Sequence, residues 1–151
     1  MRLYLDANFF IEAIEGAGAV REACLGLLDL GEANPGLLVT SHLTLSEVLV
    51  HPLRERADEL AQIYKDLIAD SGRLAVSDPD RTIFVEAASV RGVQHAIKLP
   101  DAIHLATARA LKCSHLVSGD GRLRSAAEKS DINGIDLDQL EPLLTAIEAT
   151  S

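Results

Sequence analysis

Four acidic residues are the ones whose type and placement could do chemistry: Asp6, Glu47, Asp101 and Asp120. Asp6 follows the apolar run Leu3–Leu5, and Glu47 ends Leu45-Ser46-Glu47. Asp101 follows Pro100 in LPDAIHLATARALK, and Asp120 sits between two glycines after Leu116-Val117-Ser118. Carboxylates gathered without Cys or His donors suit hard divalent cations, which prefer oxygen ligands. Mg2+ keeps several waters, takes one or two direct carboxylates and leaves room for substrate phosphates. One bound ion lowers the pKa of a water and polarises a phosphoryl oxygen, and two stabilise both the attacking and the leaving oxygen. Without a cation, such carboxylates repel one another and some stay protonated. Each acid also has a plainer reading: a strand-end residue for Asp6, a helix cap for Asp101, a turn former for Asp120, a solvated helix acid for Glu47.

The elements that must position these side chains follow from apolar spacing and punctuation. Leu3–Leu5 reads as a buried parallel strand that delivers Asp6 at its carboxyl end. Phe9, Phe10, Ile11 and Ile14 continue at helical spacing to a break at Gly16–Gly18. A second helix, about 19–30, is stopped by Gly31 and Asn34-Pro35-Gly36. Leu37–Thr40 is the next strand, and the helix after it carries Glu47 to a break at His51-Pro52. A long helix over 53–71 has Leu60, Ile63, Leu67 and Ile68 as its inner stripe. Strand 74–76 and a helix from Asp78-Pro79 to Val93 precede the Pro100 helix. After it come strand 116–118, a turn at 119–121, a short helix 125–129, a strand 132–135 and a terminal helix 138–149.

In the Pro100 helix only His104, Thr107, Arg109 and Lys112 interrupt the apolar coating, so it should be buried over most of its circumference. That burial would hold Asp101 rigidly near the positive end of the helix dipole. His104 lies one turn further on nearly the same face, with no motif-placed partner acid, and reads as a structural or supporting histidine. Strands alternating with helices predict one α/β domain over residues 1–151 around a mostly parallel sheet. Sites in such sheets form outside the carboxyl ends of the strands, where all four acids can meet.

The totals narrow the function classes. The chain has 151 residues, 48% hydrophobic and 25% charged, which fits a soluble globular domain with a sizeable core. No apolar run is long enough to span a bilayer, and MRLYLDANFF lacks a signal peptide's long apolar centre, so the expected location is the cytoplasm, with no membrane partner. Cys24 and Cys113 lie far apart in apolar surroundings and are expected as free buried thiols, without the spacing of zinc ligands. The net charge of −9 argues against a broad grip on nucleic acid. It does not exclude a nuclease, since a bound metal reverses the local sign. Arg91 and Lys98 before Asp101, and Arg122 and Arg124 after Asp120, either hold an RNA backbone or are solvated loop residues.

Leu-Tyr-Leu-Asp6-Ala-Asn8, Leu45-Ser46-Glu47, Pro100-Asp101-Ala-Ile-His104-Leu-Ala-Thr-Ala and Leu-Val-Ser118-Gly-Asp120 occur in the order and spacing of the PIN-domain nucleases. The chain most resembles the small VapC-type ribonuclease toxins of toxin–antitoxin pairs. The resemblance covers nearly the whole chain, and PDAIHLATA is its most specific piece. It implies a three-layer α/β/α PIN-like fold and an endoribonuclease that depends on Mg2+ or Mn2+ and leaves a 5′ phosphate. Asp6, Glu47, Asp101 and Asp120 match the family's acidic metal-binding and catalytic positions, and Asn8 and Ser118 match the small polar residues that orient those acids. It further implies an RNA substrate, a cognate antitoxin and a homodimer. One departure stands out: where relatives often carry another acid and then an aromatic after Asp120, this chain has Arg122 and Leu123. That weakens a second-metal position or gives Arg122, with Lys98, a contact to substrate phosphate. It also keeps open a silent PIN-like module that binds RNA or a protein without cutting. An Asp-nucleophile phosphatase is disfavoured, because Asn8 stands where its second acid would be.

Overall fold

A computed structural model describes residues 1–150; Ser151, the last residue of the expected domain, lies outside them. Five short strands, β1 (Leu3–Leu5), β2 (Leu38–Ser41), β3 (Ala75–Ser77), β4 (His115–Val117) and β5 (Asn133–Ile135), form one sheet in the order β3-β2-β1-β4-β5. Every pairing is parallel, with Leu3 opposite both Leu38 and His115. The helices between them are α1 (Ala7–Glu15), α2 (Gly18–Ala33), α3 (His42–Arg54), α4 (Asp58–Leu67), α5 (Arg81–Val93), α6 (Leu99–Ala110) and α7 (Gly121–Glu128). A 3-10 turn over Leu137–Gln139 leads into α8 (Leu140–Thr150).

Successive side chains of a strand point to opposite faces, and β1 shows what this does in a central strand. Leu3 and Leu5 enter a core with Phe9, Phe10, Cys24, Leu27, Tyr64 and Leu140, which draws on α1, α2, α4 and α8. Tyr4 enters the other core with Ile83, Val90, Leu105, Leu116 and Leu123, which draws on α5, α6 and α7. The result is the expected three-layer α/β/α arrangement. All seven residues from Ala102 to Ala108 are buried in α6, as its apolar coating predicted. Both cysteines are free and buried, and burial pushes each thiol up to about 12.

Several boundaries differ from those read in the sequence, each for a packing reason. Gly31 does not stop α2; it lies inside the helix, where a Cβ would meet Leu38 Cδ1 at 2.4 Å and the Arg73 carbonyl at 2.9 Å. The helix ends instead where Asn34 donates backbone and side-chain N–H groups to Leu30 O, followed by Gly36 at φ 88°. Pro52 does not break α3 but sits buried in its last turn, and the chain reverses only at Arg56, whose φ is 52°. The predicted 53–71 helix is therefore shorter, and Ala61, Tyr64 and Ile68 face the core while Ile63 is exposed. The short helix expected at 125–129 begins earlier, at Gly121, because Asp120 caps it. Among the described residues no helix is long and apolar enough to cross a membrane.

Candidate active site

The chain runs outward from β1 to β2 and β3, then crosses back to β4 and β5, so the strand order reverses between β1 and β4. A crevice opens outside the carboxyl ends of strands at such a switch point. Asp6 leaves β1 there, and Ser118 and Asp120 leave β4. Three of the four acids thus stand at helix N-termini: Asp6 caps α1, Asp120 caps α7 and Asp101 occupies the first turn of α6. The partial positive charge of those ends favours the carboxylates.

Asp6 is 4% exposed, and both its oxygens accept hydrogen bonds. Oδ1 accepts the Phe9 backbone N–H at 3.3 Å, and Oδ2 accepts the Ser118 hydroxyl at 2.5 Å and the Asn8 amide at 3.4 Å. Burial pushes the Asp6 carboxyl above its ordinary value, with Ser118 the strongest opposing influence. Ser118 in turn accepts the Asp120 backbone N–H at 2.9 Å, and Asp120 Oδ1 accepts the Arg122 N–H at 2.9 Å. One fully buried hydroxyl therefore ties Asp6 to the Asp120 turn.

Asp101 does not cap its helix. The capping position belongs to Lys98, which makes no side-chain cap bond, so the Asp101 carboxylate is not spent on backbone groups. It lines an open cavity of about 930 Å³ together with Asp120, Lys98, Arg122, Lys129 and His95. Burial, and then the charge of Asp120, raises the Asp101 carboxyl; Glu47 pushes the same way, while His104 and Lys98 oppose. Glu47 reaches the site from α3, with Oε1 2.5 Å from His104 Nε2. The histidine that lacked a visible partner in sequence thus has one, from a residue 57 positions away.

Both residues expected to touch RNA, Lys98 and Arg122, line the cavity. Arg124 is otherwise occupied, donating to Ser118 O at 2.8 Å and pairing with Asp136 at 3.2 Å. Arg91 donates to Ile97 O at 3.3 Å in the loop before α6. Lys129 and His95 were not singled out from sequence; each joins the cavity only because α7 and the 94–98 loop face one another across it.

The donor set is all oxygen, and Asp101 is crowded by like charge, which is the condition a hard cation relieves. Among the described residues no three His, Cys, Asp or Glu side chains are grouped tightly enough to enclose an ion. Of the four acids, Asp101 and Asp120 line the cavity, and the charge of Glu47 also reaches Asp101.

The PIN domain family model matches residues 3–129, and the chain belongs to that family. Membership of this nuclease family supports a hydrolase acting on nucleic acid. No curated protein matches the chain in a sequence comparison. Among solved structures, it is similar to VapBC2 from Rickettsia felis bound to a DNA fragment from their promoter, with TM-score 0.71 and 17% identity over 90% of this chain and 98% of that one. It is also similar to Mycobacterium tuberculosis VapC20, described as a sarcin–ricin loop cleaving toxin, with TM-score 0.65 and 17% identity over 82% and 94%. FitAcB from Neisseria gonorrhoeae gives TM-score 0.63 and 19% identity over 89% and 97%. At these identities the likeness is one of fold.

Proposed function

We propose that this chain is a single-domain, Mg2+- or Mn2+-dependent endoribonuclease that serves as the toxin of a toxin–antitoxin pair in the cytoplasm. The observation that carries the reading is the cavity at the strand-order switch, where Asp101 and Asp120 share a wall with Lys98, Arg122 and Lys129. Acids to hold a cation and bases to hold a phosphate chain occur side by side there on an otherwise acidic protein. Asp6, Glu47, Asp101 and Asp120 would hold the ion. Its chemistry, when bound, is to polarise the phosphodiester and make a water acidic enough to attack it.

The remaining work falls to the protein's own groups. Ser118, Asn8 and the Phe9 N–H hold Asp6 in one orientation and favour its ionised form against the cost of burial. Lys98, Arg122 and Lys129 grip backbone phosphates without reading sequence. The cleaving toxin among the similar folds, and the complexes of VapBC and FitAB type, support the toxin reading and a cognate antitoxin. We infer a homodimer as part of the same proposal, since Phe84 and Val85 are adjacent exposed apolar side chains of α5.

The test is RNA cleavage by purified protein in Mg2+ or Mn2+, compared with Asp6→Asn and Asp101→Asn. Loss of cleavage in both variants supports the proposal, and equal cleavage by all three assigns the activity to a contaminant. Arg122 in place of an acid favours one rival, a silent module that binds without cutting. That module should gain no thermal stability from Mn2+, whereas a ligand that binds the native state must raise it.

A further inference from the structure

His104 is 2% exposed in the middle of α6, where every residue from Ala102 to Ala108 is buried. A buried polar ring is costly unless its nitrogens are hydrogen-bonded, and both are. Nδ1 lies 2.7 Å from the Tyr4 hydroxyl, which itself lies 3.1 Å from Ser41 Oγ, and Nε2 lies 2.5 Å from Glu47 Oε1. The Tyr4 and His104 rings also meet edge to face at 5.6 Å, which fixes the plane of the imidazole. A relay therefore runs from β2 through β1 and α6 to α3. Its inner members are fully or almost fully buried, and its last, Glu47, has a side chain 34% exposed.

We propose that His104 is the positioning residue for Glu47: the Tyr4 hydroxyl holds its Nδ1, and its Nε2 holds one Glu47 carboxylate oxygen and leaves the other for the cation. A satisfied core histidine would need only some acceptor. This one spends its outward nitrogen on Glu47, an acid near enough to Asp101 for their charges to interact. Partners that orient a ligand from behind are worth about 10–100-fold in metal affinity.

The inference rests on the metal-nuclease reading, and its test separates the two. Mn2+ is titrated calorimetrically into the wild type, His104→Leu, His104→Gln, Tyr4→Phe, Glu47→Gln and the His104→Leu/Glu47→Gln double variant. His104→Leu should weaken Mn2+ binding at least tenfold, within the range for such partners. His104→Gln, whose amide can donate to the same oxygen, should recover most of the affinity. The double variant should bind no worse than Glu47→Gln alone, because His104 acts through that acid. Tyr4→Phe should weaken binding severalfold, and it decides the matter with His104→Gln if His104→Leu does not fold. Wild-type affinity in His104→Leu, no rescue by Gln, or additive losses in the double variant would each overturn the role of His104. A wild type that takes up no Mn2+ would instead remove the metal-nuclease reading itself, and this inference with it.

Discussion

Replacing Ser118 by Ala removes a single, fully buried hydroxyl that joins the two strand ends of the site. It donates to Asp6 Oδ2 at 2.5 Å and accepts the Asp120 N–H at 2.9 Å. A hydrogen bond to a charged group contributes about 1.5–3 kcal/mol and a neutral one about 0.5–1.5 kcal/mol. The metal-free variant should therefore lose about 3 kcal/mol, or roughly 6–12 °C at the 2–4 °C per kcal/mol typical of a domain this size. The pH dependence carries a sign. Burial holds the folded Asp6 carboxyl above its unfolded value, so stability falls as pH rises from the ordinary carboxylate range through that raised value. Ser118 opposes the shift by favouring the ionised form, and its loss extends the fall to higher pH. The deficit of the variant should thus be larger near neutrality than in mild acid. Urea unfolding of wild type, Ser118→Ala, Asp6→Asn and the double variant, with chelator present, measures the coupling directly. A coupling above about 1 kcal/mol near neutrality is expected for groups in direct contact; additivity within about 0.5 kcal/mol would refute the reasoning.

Asp101→Asn should raise the melting temperature of the metal-free protein at neutral pH and abolish stabilisation by Mn2+. Burial and Asp120 make the ionised acid a cost to the fold, so wild-type stability declines as pH rises through the raised Asp101 value, and the variant should lose that part of the slope. Gly31→Ala should cost about 1–3 kcal/mol in urea unfolding, because its Cβ would collide with the Leu38 side chain and the Arg73 carbonyl. Lys98→Ala and Arg122→Ala, each in a non-cleaving Asp6→Asn background, should weaken RNA binding about equally for all sequences and reduce the salt slope by about one. An unchanged slope for either would remove that residue from the phosphate contacts.

The layered α/β/α fold and the order of its strands and helices were legible in the sequence because burial leaves a local mark. Leu3–Leu5 and Leu116-Val117 are short apolar runs with punctuation on both sides, and α6 is coated all round. Where the reading failed, the deciding contact was distant in sequence. Gly31 looks like a helix stop until Leu38 and Arg73 are seen packed against it. Pro52 looks like a break, yet α3 runs on to Arg54 with the proline buried in its last turn. In the site, Asp101 has the sequence position of a cap and makes no cap bond, since Lys98 holds that position.

The sequence by itself determined which acids and small polar residues this protein carries at its strand ends and helix starts, and hence the all-oxygen character of their donors. Local order could do this, because a strand followed by Asp, or a helix opened by Pro-Asp, needs only neighbouring residues to be recognised. Tertiary structure alone decided how those residues are wired. Joining Ser118 to Asp6 across 112 positions and His104 to Glu47 across 57 requires β4 to lie beside β1 and α6 to lie near α3. Hydrogen bonds depend on distances of a few ångströms between side chains, and those distances exist only after the two cores have closed on both faces of the sheet.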